Sequence, residues 1–222
     1  MANGPMMRVF AEIVARNRVR DGRVYLQVTR GAAPRDFALP AADLPATFVV
    51  LARALDLDKI AAKSKIGIAV KVMPDPRWAR CDLKTIMLLP SVLSKDAAKA
   101  EGAGEAWYVD KAGFVTEGAS SNAWIITRAG ELITRQAGTE ILAGVTRATM
   151  KDVAQTLQLR VVERAFTLAE AYGAQEAFLT SASTIVMPVV KIDQRLIGDG
   201  KPGPISQRLR AAFHEAAEVT LL

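Results

Sequence analysis

Lys84 and Glu117 are the two residues of this sequence whose settings most invite chemistry. Lys84 stands in CDLKTIMLL, with Leu83 before it and Ile86, Met87, Leu88 and Leu89 after it. Apolar surroundings disfavour the ammonium form, and the neutral amine is the form that adds to a carbonyl. The plain alternative is a solvated surface lysine, as most lysines are. Glu117 opens EGASSNAWIIT, a carboxylate at the entrance of a small polar loop that leads into an apolar strand. Such a loop leaves amides and hydroxyls free to hold a ligand, although a hairpin glutamate in a salt bridge would look the same. Two further pieces suit an anion. AGVTR puts Val145 and Thr146 at the start of a helix, where unpaired amides and the helix dipole attract negative charge. Thr146 serves equally well there as an N-cap. TSAS adds the Ser181 hydroxyl and the Ala182 amide.

Composition bounds what these residues can belong to. The chain has 222 residues, half of them hydrophobic, enough for a substantial core in one or two domains. One cysteine, Cys81, forms no internal disulfide, and one histidine, His214, builds no usual zinc site. The expectation is a reducing, cytoplasmic setting with no structural metal. No apolar run approaches the roughly 20 residues a membrane span needs, and MANGPMMRVF does not read as a signal peptide. The net charge of +6 is spread among acids, without the interleaved aromatics of a nucleic-acid platform. It fits a small anionic ligand, and nucleic acid is not expected.

The elements that would position these residues are a mixture. MMRVFAEIVARNRV places Val9, Phe10, Ile13 and Val14 on one helical face. RVYLQVTRG, ATFVVLARAL and KIGIAVKVMP read as strands, giving residues 1–76 one helix and about three strands. Beyond residue 77, a helix over Leu89–Glu101 tolerates Pro90 in its first turn. Two hairpins follow, turning at Lys111–Gly113 and Arg128–Gly130, then a helix N-capped by Thr146. RVVERA, QEAFLTS and TIVMPVVKID complete the strands, with a short helix at Leu168–Tyr172 and a last one over Ile205–Ala217. The class is α+β with a barrel-like sheet, divided into a small domain at 1–76 and a larger one at 77–222.

VTRGAAPR, CDLKTIMLL, VTEGASSN, ILAGVTR and FLTSAS, in this order, make the chain resemble the fold-type IV pyridoxal-phosphate aminotransferases, and among them the D-amino acid aminotransferase branch. The resemblance runs from about residue 7 to 213 and implies pyridoxal 5'-phosphate as cofactor, with amino acid and 2-oxo acid substrates. It implies that Lys84 carries the cofactor as a Schiff base and moves the substrate α-proton. Glu117 would keep the pyridine nitrogen protonated, with Ser120 and Asn122 positioning the ring. Leu142 would pack on that ring. Val145, Thr146, Ser181 and Ala182 would hold the phosphate, Ala182 standing where the branch often has threonine. Arg35 would bind the substrate α-carboxylate as a bidentate partner, from a loop that in relatives reaches across a dimer interface. A homodimer is therefore expected.

Two departures from the pattern shape the expectations. Phe37 stands where the family loop carries a histidine, which removes one carboxylate donor. The resemblance also implies roughly sixty residues ahead of the helix that begins here near Met6, carrying a tyrosine at the substrate and an arginine on the phosphate. The expectation is a short or late-started form with weakened cofactor binding and an exposed sheet edge. Branched-chain aminotransferase and 4-amino-4-deoxychorismate lyase activities remain open on the same fold, as does a non-catalytic interaction domain.

Overall fold

In a computed structural model, residues 3–217 are described, and they fall into two compact units, 3–59 and 60–217. The first contains α1 (Asn3–Arg16) and an antiparallel pair, β1 (Gly22–Thr29) and β2 (Thr47–Ala54), in register from Gly22 opposite Ala54 to Thr29 opposite Thr47. The amide of Leu55 donates to the Asp21 carbonyl and closes the pair at its open end. Within this unit Tyr25, Val28, Phe48 and Leu51 remain exposed. The loop between the strands carries Arg35, whose guanidinium lies 5.3 Å from the centroid of the exposed Phe37 ring.

Helix α2 (Leu57–Ile66), to which the sequence reading assigned no element, begins with Asp56 accepting from the Lys59 amide. Gly67, in the left-handed region at φ +80°, ends it and turns the chain into β3 (Ile68–Pro74). β3 lies inside the second unit, so the boundary expected between residues 76 and 77 falls within that unit.

The rest of the second unit comprises α3 (Leu89–Ala100), β4 (Glu105–Val109), β5 (Phe114–Gly118), β6 (Asn122–Ile126), β7 (Leu132–Thr134), α4 (Val145–Thr156), β8 (Val161–Glu163), β9 (Phe166–Thr167), α5 (Leu168–Gly173), β10 (Glu176–Ser181), β11 (Ile185–Ile192), β12 (Arg195–Leu196) and α6 (Pro204–Glu215). The expected hairpins β4–β5 and β6–β7 form, and the mixed α+β class holds. The strand order is β8-β7-β6-β10-β11-β3-β4-β5-β9, with β12 beside β11. β3 is parallel to both β11 and β4, and most other pairs are antiparallel. β5 then runs back towards β6 through the turn at 119–120, bridged at Gly118 and Ser121, so the sheet curls round on itself.

Alternation along the strands supplies both sides of that curl. Ile68, Val70, Trp107, Val115, Ala123, Ile125, Leu179 and Met187 share one buried cluster within it. Their neighbours Trp124, Ile126, Phe178 and Val186 face the other way, against Met150, Val153 and Ala154 of α4 and Leu209 of α6. Trp124 and Phe178 stack there with centroids 5.5 Å apart, a geometry worth about 1 kcal/mol beyond its buried area. β6 is buried on both faces, which explains why AWII is continuously apolar rather than alternating.

Candidate active site

The register of β6 with β10 sets Asn122 opposite Thr180. Both lie on the strand face that carries Trp124 and Phe178, the face covered by α4, and the Trp124 indole donates to Thr180 at 3.0 Å. At the head of α4, Gly144 approaches Asn122 so closely that a Cβ there would collide with its Oδ1. The Asn122 amide nitrogen donates to Glu117 Oε2 at 2.9 Å and to the Leu142 carbonyl at 2.8 Å. The Leu142 amide donates back to the Glu117 carboxylate at 3.1 and 3.2 Å. Glu117, Asn122, Leu142 and the start of α4 are thereby drawn into one group.

Arg77 completes it. Its Nη1 donates to Glu117 Oε1, its Nη2 to Asp75 Oδ2 at 2.7 Å and to the Glu140 carbonyl at 3.2 Å. Its guanidinium covers the Tyr108 ring at 4.7 Å from the centroid. Thr116 donates to Asp75 Oδ2 at 2.9 Å. Sequence reasoning missed Arg77, Asp75, Thr116 and Tyr108. The spacing in PDPRW, an aspartate two residues before an arginine at a strand end, is the only local sign of the pair. Burial pushes the Glu117 carboxyl up to about 7, even though Arg77 pulls it the other way. Burial also opposes ionisation of Asp75, but the Arg77 guanidinium outweighs it and holds that carboxyl below its usual range.

The α4 terminus differs from expectation in one respect. The N-cap is Gly144, with extended backbone, and Thr146 is a buried residue of the first turn. No side chain caps the turn, so the first amides of α4 have no side-chain acceptor. Val145 is 77% exposed there. Arg147, the last residue of the GVTR piece, turns inward and donates to the Arg135 carbonyl at 2.7 Å and to Glu163 at 2.6 Å, fastening α4 to β7 and β8. A surface groove of about 480 Å³ flanked by Lys151, Gln155, Leu159 and Glu163 lies at the opposite end of α4 and shares none of the site residues.

The remaining candidates are less tightly joined. Ser120 donates to Glu105 Oε2 at 2.8 Å and accepts from Lys95 at 3.1 Å, so its hydroxyl is engaged with the buried Glu105. Ser181 bonds Thr184 Oγ1 at 2.8 Å, and Ala182 is exposed at the tip of the same turn. Lys84 lies in the irregular segment before α3 and takes part in no hydrogen bond or ion pair among the described residues. The apolar enclosure expected for Lys84 is not supplied by the single chain. Cys81 anchors one end of the segment to the Thr139 carbonyl, but Leu83, Ile86, Met87 and Leu88 project outward with Lys84 and are exposed.

Comparison with known proteins agrees with this architecture. The family model for amino-transferase class IV matches residues 5–192. The chain is 36% identical over 213 residues to the D-alanine aminotransferase of Staphylococcus haemolyticus, covering 96% of this chain and 74% of that one. It is also 36% identical to the Bacillus licheniformis D-alanine aminotransferase, over 92% of this chain and 71% of the relative. Among solved structures, a T.th. branched-chain amino acid aminotransferase with pyridoxamine 5'-phosphate superposes with a TM-score of 0.80 at 28% identity, over 97% of this chain and 72% of that one. The Escherichia coli branched-chain enzyme, at 23% identity over 97% and 72% of the two chains and a TM-score of 0.83, shares the fold. The chain belongs to the class IV aminotransferases, a family of pyridoxal-phosphate-dependent enzymes.

The residues present fit that cofactor. A phosphate suits the α4 turn, whose amides lack a side-chain cap and whose Gly144 leaves no room for a Cβ beside Asn122. A pyridine N–H suits the buried Glu117 carboxylate.

Proposed function

We propose that this protein moves the amino group of a D-amino acid of alanine-like size to a 2-oxo acid, with pyridoxal phosphate as cofactor and two copies in the working assembly. The observation that carries the reading is the buried Glu117–Asn122 pair, bonded to the backbone of Leu142 at the head of α4. It occurs in a chain 36% identical to D-alanine aminotransferases over nearly its whole length.

When bound, pyridoxal phosphate supplies an electron-withdrawing ring that stabilises negative charge at the substrate α-carbon. Lys84 holds the cofactor through its amine and then shuttles the α-proton. Glu117 keeps a proton on the pyridine nitrogen, and Asn122 and the Leu142 amide fix the direction of its carboxylate. The amides of Val145 and Thr146, with Ser181 and the Ala182 amide, bind the phosphate. Ser120 shapes the loop beside Glu117 through Glu105 and Lys95. Arg35 takes the substrate α-carboxylate in its planar fork. A second copy laid over the exposed 83–93 segment would withdraw Lys84 and its apolar neighbours from water, which favours the neutral amine.

Single-turnover amino transfer with D- and L-alanine, D- and L-glutamate and L-leucine tests the proposal at saturating pyridoxal phosphate. D-alanine should react at least about tenfold faster than L-alanine, a difference of roughly 1.4 kcal/mol in barrier. Preference for L-leucine would favour the branched-chain reading instead, and no reaction with any of them would overturn both. Borohydride reduction of protein incubated with pyridoxal phosphate should leave its adduct on the peptide containing Lys84. An adduct on Lys95 or Lys99 would reassign the role.

A further inference from the structure

The turn between β10 and β11 contains a conformation its sequence does not favour. Ser181 pairs with Ile185 across it, and Ile185 sits at φ +61°. That is the left-handed region, where hairpins ordinarily place glycine or asparagine and where a β-branched residue is rare. Something outside the turn must hold it. Nη1 of Arg210, on α6, donates to the Thr184 carbonyl and, at 2.8 Å, to the Val186 carbonyl, the two acceptors flanking Ile185. One nitrogen reaches both carbonyls because the chain kinks between them. No carboxylate pairs with Arg210 among the described residues, and burial lowers its pKa from the usual guanidinium range. The guanidinium is therefore committed to the turn rather than to an acid. On the other side of the turn, the Thr184 amide donates to Ser181 Oγ at 3.3 Å, and Ser181 Oγ lies 2.8 Å from Thr184 Oγ1.

We infer that Arg210 is a positioning residue for the cofactor's phosphate: by clamping the carbonyls on either side of Ile185 it fixes the turn in which Ser181 and the Ala182 amide are presented. The inference rests on the proposed cofactor role of that turn, whereas the clamp itself is a property of the protein without ligand. Because Arg210 belongs to α6, packing of the last helix against the sheet would set the shape of an anion seat about thirty residues earlier, a coupling carried by contact rather than by charge on the ligand.

Amide hydrogen exchange on ligand-free protein tests the clamp. In Arg210→Ala, exchange at residues 182–186 should accelerate by about tenfold or more. Ile185→Gly on that background should restore protection, because glycine adopts the left-handed conformation without penalty. A residue that merely packs α6 would show neither local acceleration nor rescue by Ile185→Gly, and either failure overturns the proposal. Equilibrium titration with pyridoxal phosphate and with pyridoxal tests the consequence. Arg210→Ala should raise the Kd of the phosphorylated form about tenfold, leave that of pyridoxal unchanged, and recover with Ile185→Gly. Equal losses for both ligands overturn the phosphate role. Exchange that responds as expected in a wild-type protein that binds no pyridoxal phosphate would support the clamp and overturn the cofactor reading alone.

Discussion

A carboxylate held between an arginine and two amide groups behaves differently from one in water, and Glu117 makes the difference measurable. Its folded pKa, about 7, lies above the ordinary value of 4.5. Between those values the folded chain retains a proton that the unfolded chain releases, so Glu117 causes stability to fall as pH rises through that window. Glu117→Gln removes that slope, and urea midpoints collected from pH 4.5 to 8 should be flatter in the variant. Pyridoxamine phosphate, which has no aldehyde to engage Lys84, isolates the same group in binding. Its affinity should rise through about pH 7 in wild-type protein as Glu117 ionises and should lose that step in Glu117→Gln. A step that persists in the variant assigns the titration elsewhere. Arg77 is the counterweight. Arg77→Gln leaves the half-buried Asp75 and the buried Glu117 together without a cation, which should cost about 3 kcal/mol of stability at pH 8. At pH 5.5, where Glu117 takes up a proton, the loss should shrink, and urea unfolding at the two values checks both. From sequence, Glu117 was legible because it opens a polar loop between apolar strands. Arg77 was not, because an arginine near prolines reads as solvated until the fold sets it against two carboxylates.

At the scale of elements, strands and helices with clear periodicity were legible and their mates were not. KIGIAVKVMP reads as a strand, but nothing in it says that β3 will lie parallel to β11 on one side and β4 on the other, because those pairings join distant parts of the chain. Helix α2 escaped notice because LDKIAAKSKI is half polar and carries only a weak apolar stripe; its Asp56 cap was the signal available. The start of α4 moved from Thr146 to Gly144 because glycine takes the extended cap conformation beside Asn122, where any side chain would collide. The segment from Leu83 to Leu93 shows a different gap between sequence and single chain. Its apolar side chains were expected to surround Lys84, yet Ile86, Leu89, Val92 and Leu93 are each more than half exposed. A patch of that kind calls for a partner surface. If the partner is a second copy, Ile86→Asp should shift sedimentation from dimer to monomer and lower the yield of the Lys84 adduct. An unchanged dimer would place the interface elsewhere.

For the whole molecule, the decisive feature is how the curled sheet comes together. Two apolar layers, one within the curl and one beneath α4 and α6, are built from alternate residues of the same strands. Neither layer is complete without the other. β3 begins at residue 68, yet it acquires one neighbour only when β11, ending at Ile192, has been made. During synthesis the chain must therefore wait: β3, β4, β5 and β6 emerge early, and the sheet edges they present stay open until the last strands leave the ribosome. Nascent chains stalled short of β11 should be cut rapidly within the first hairpins by a protease, whereas chains released after α6 should resist it. For an enzyme built this way, the interval between the first and last strands of its sheet is the period of greatest vulnerability, and the speed of translation from β3 through β11 sets how long that period lasts.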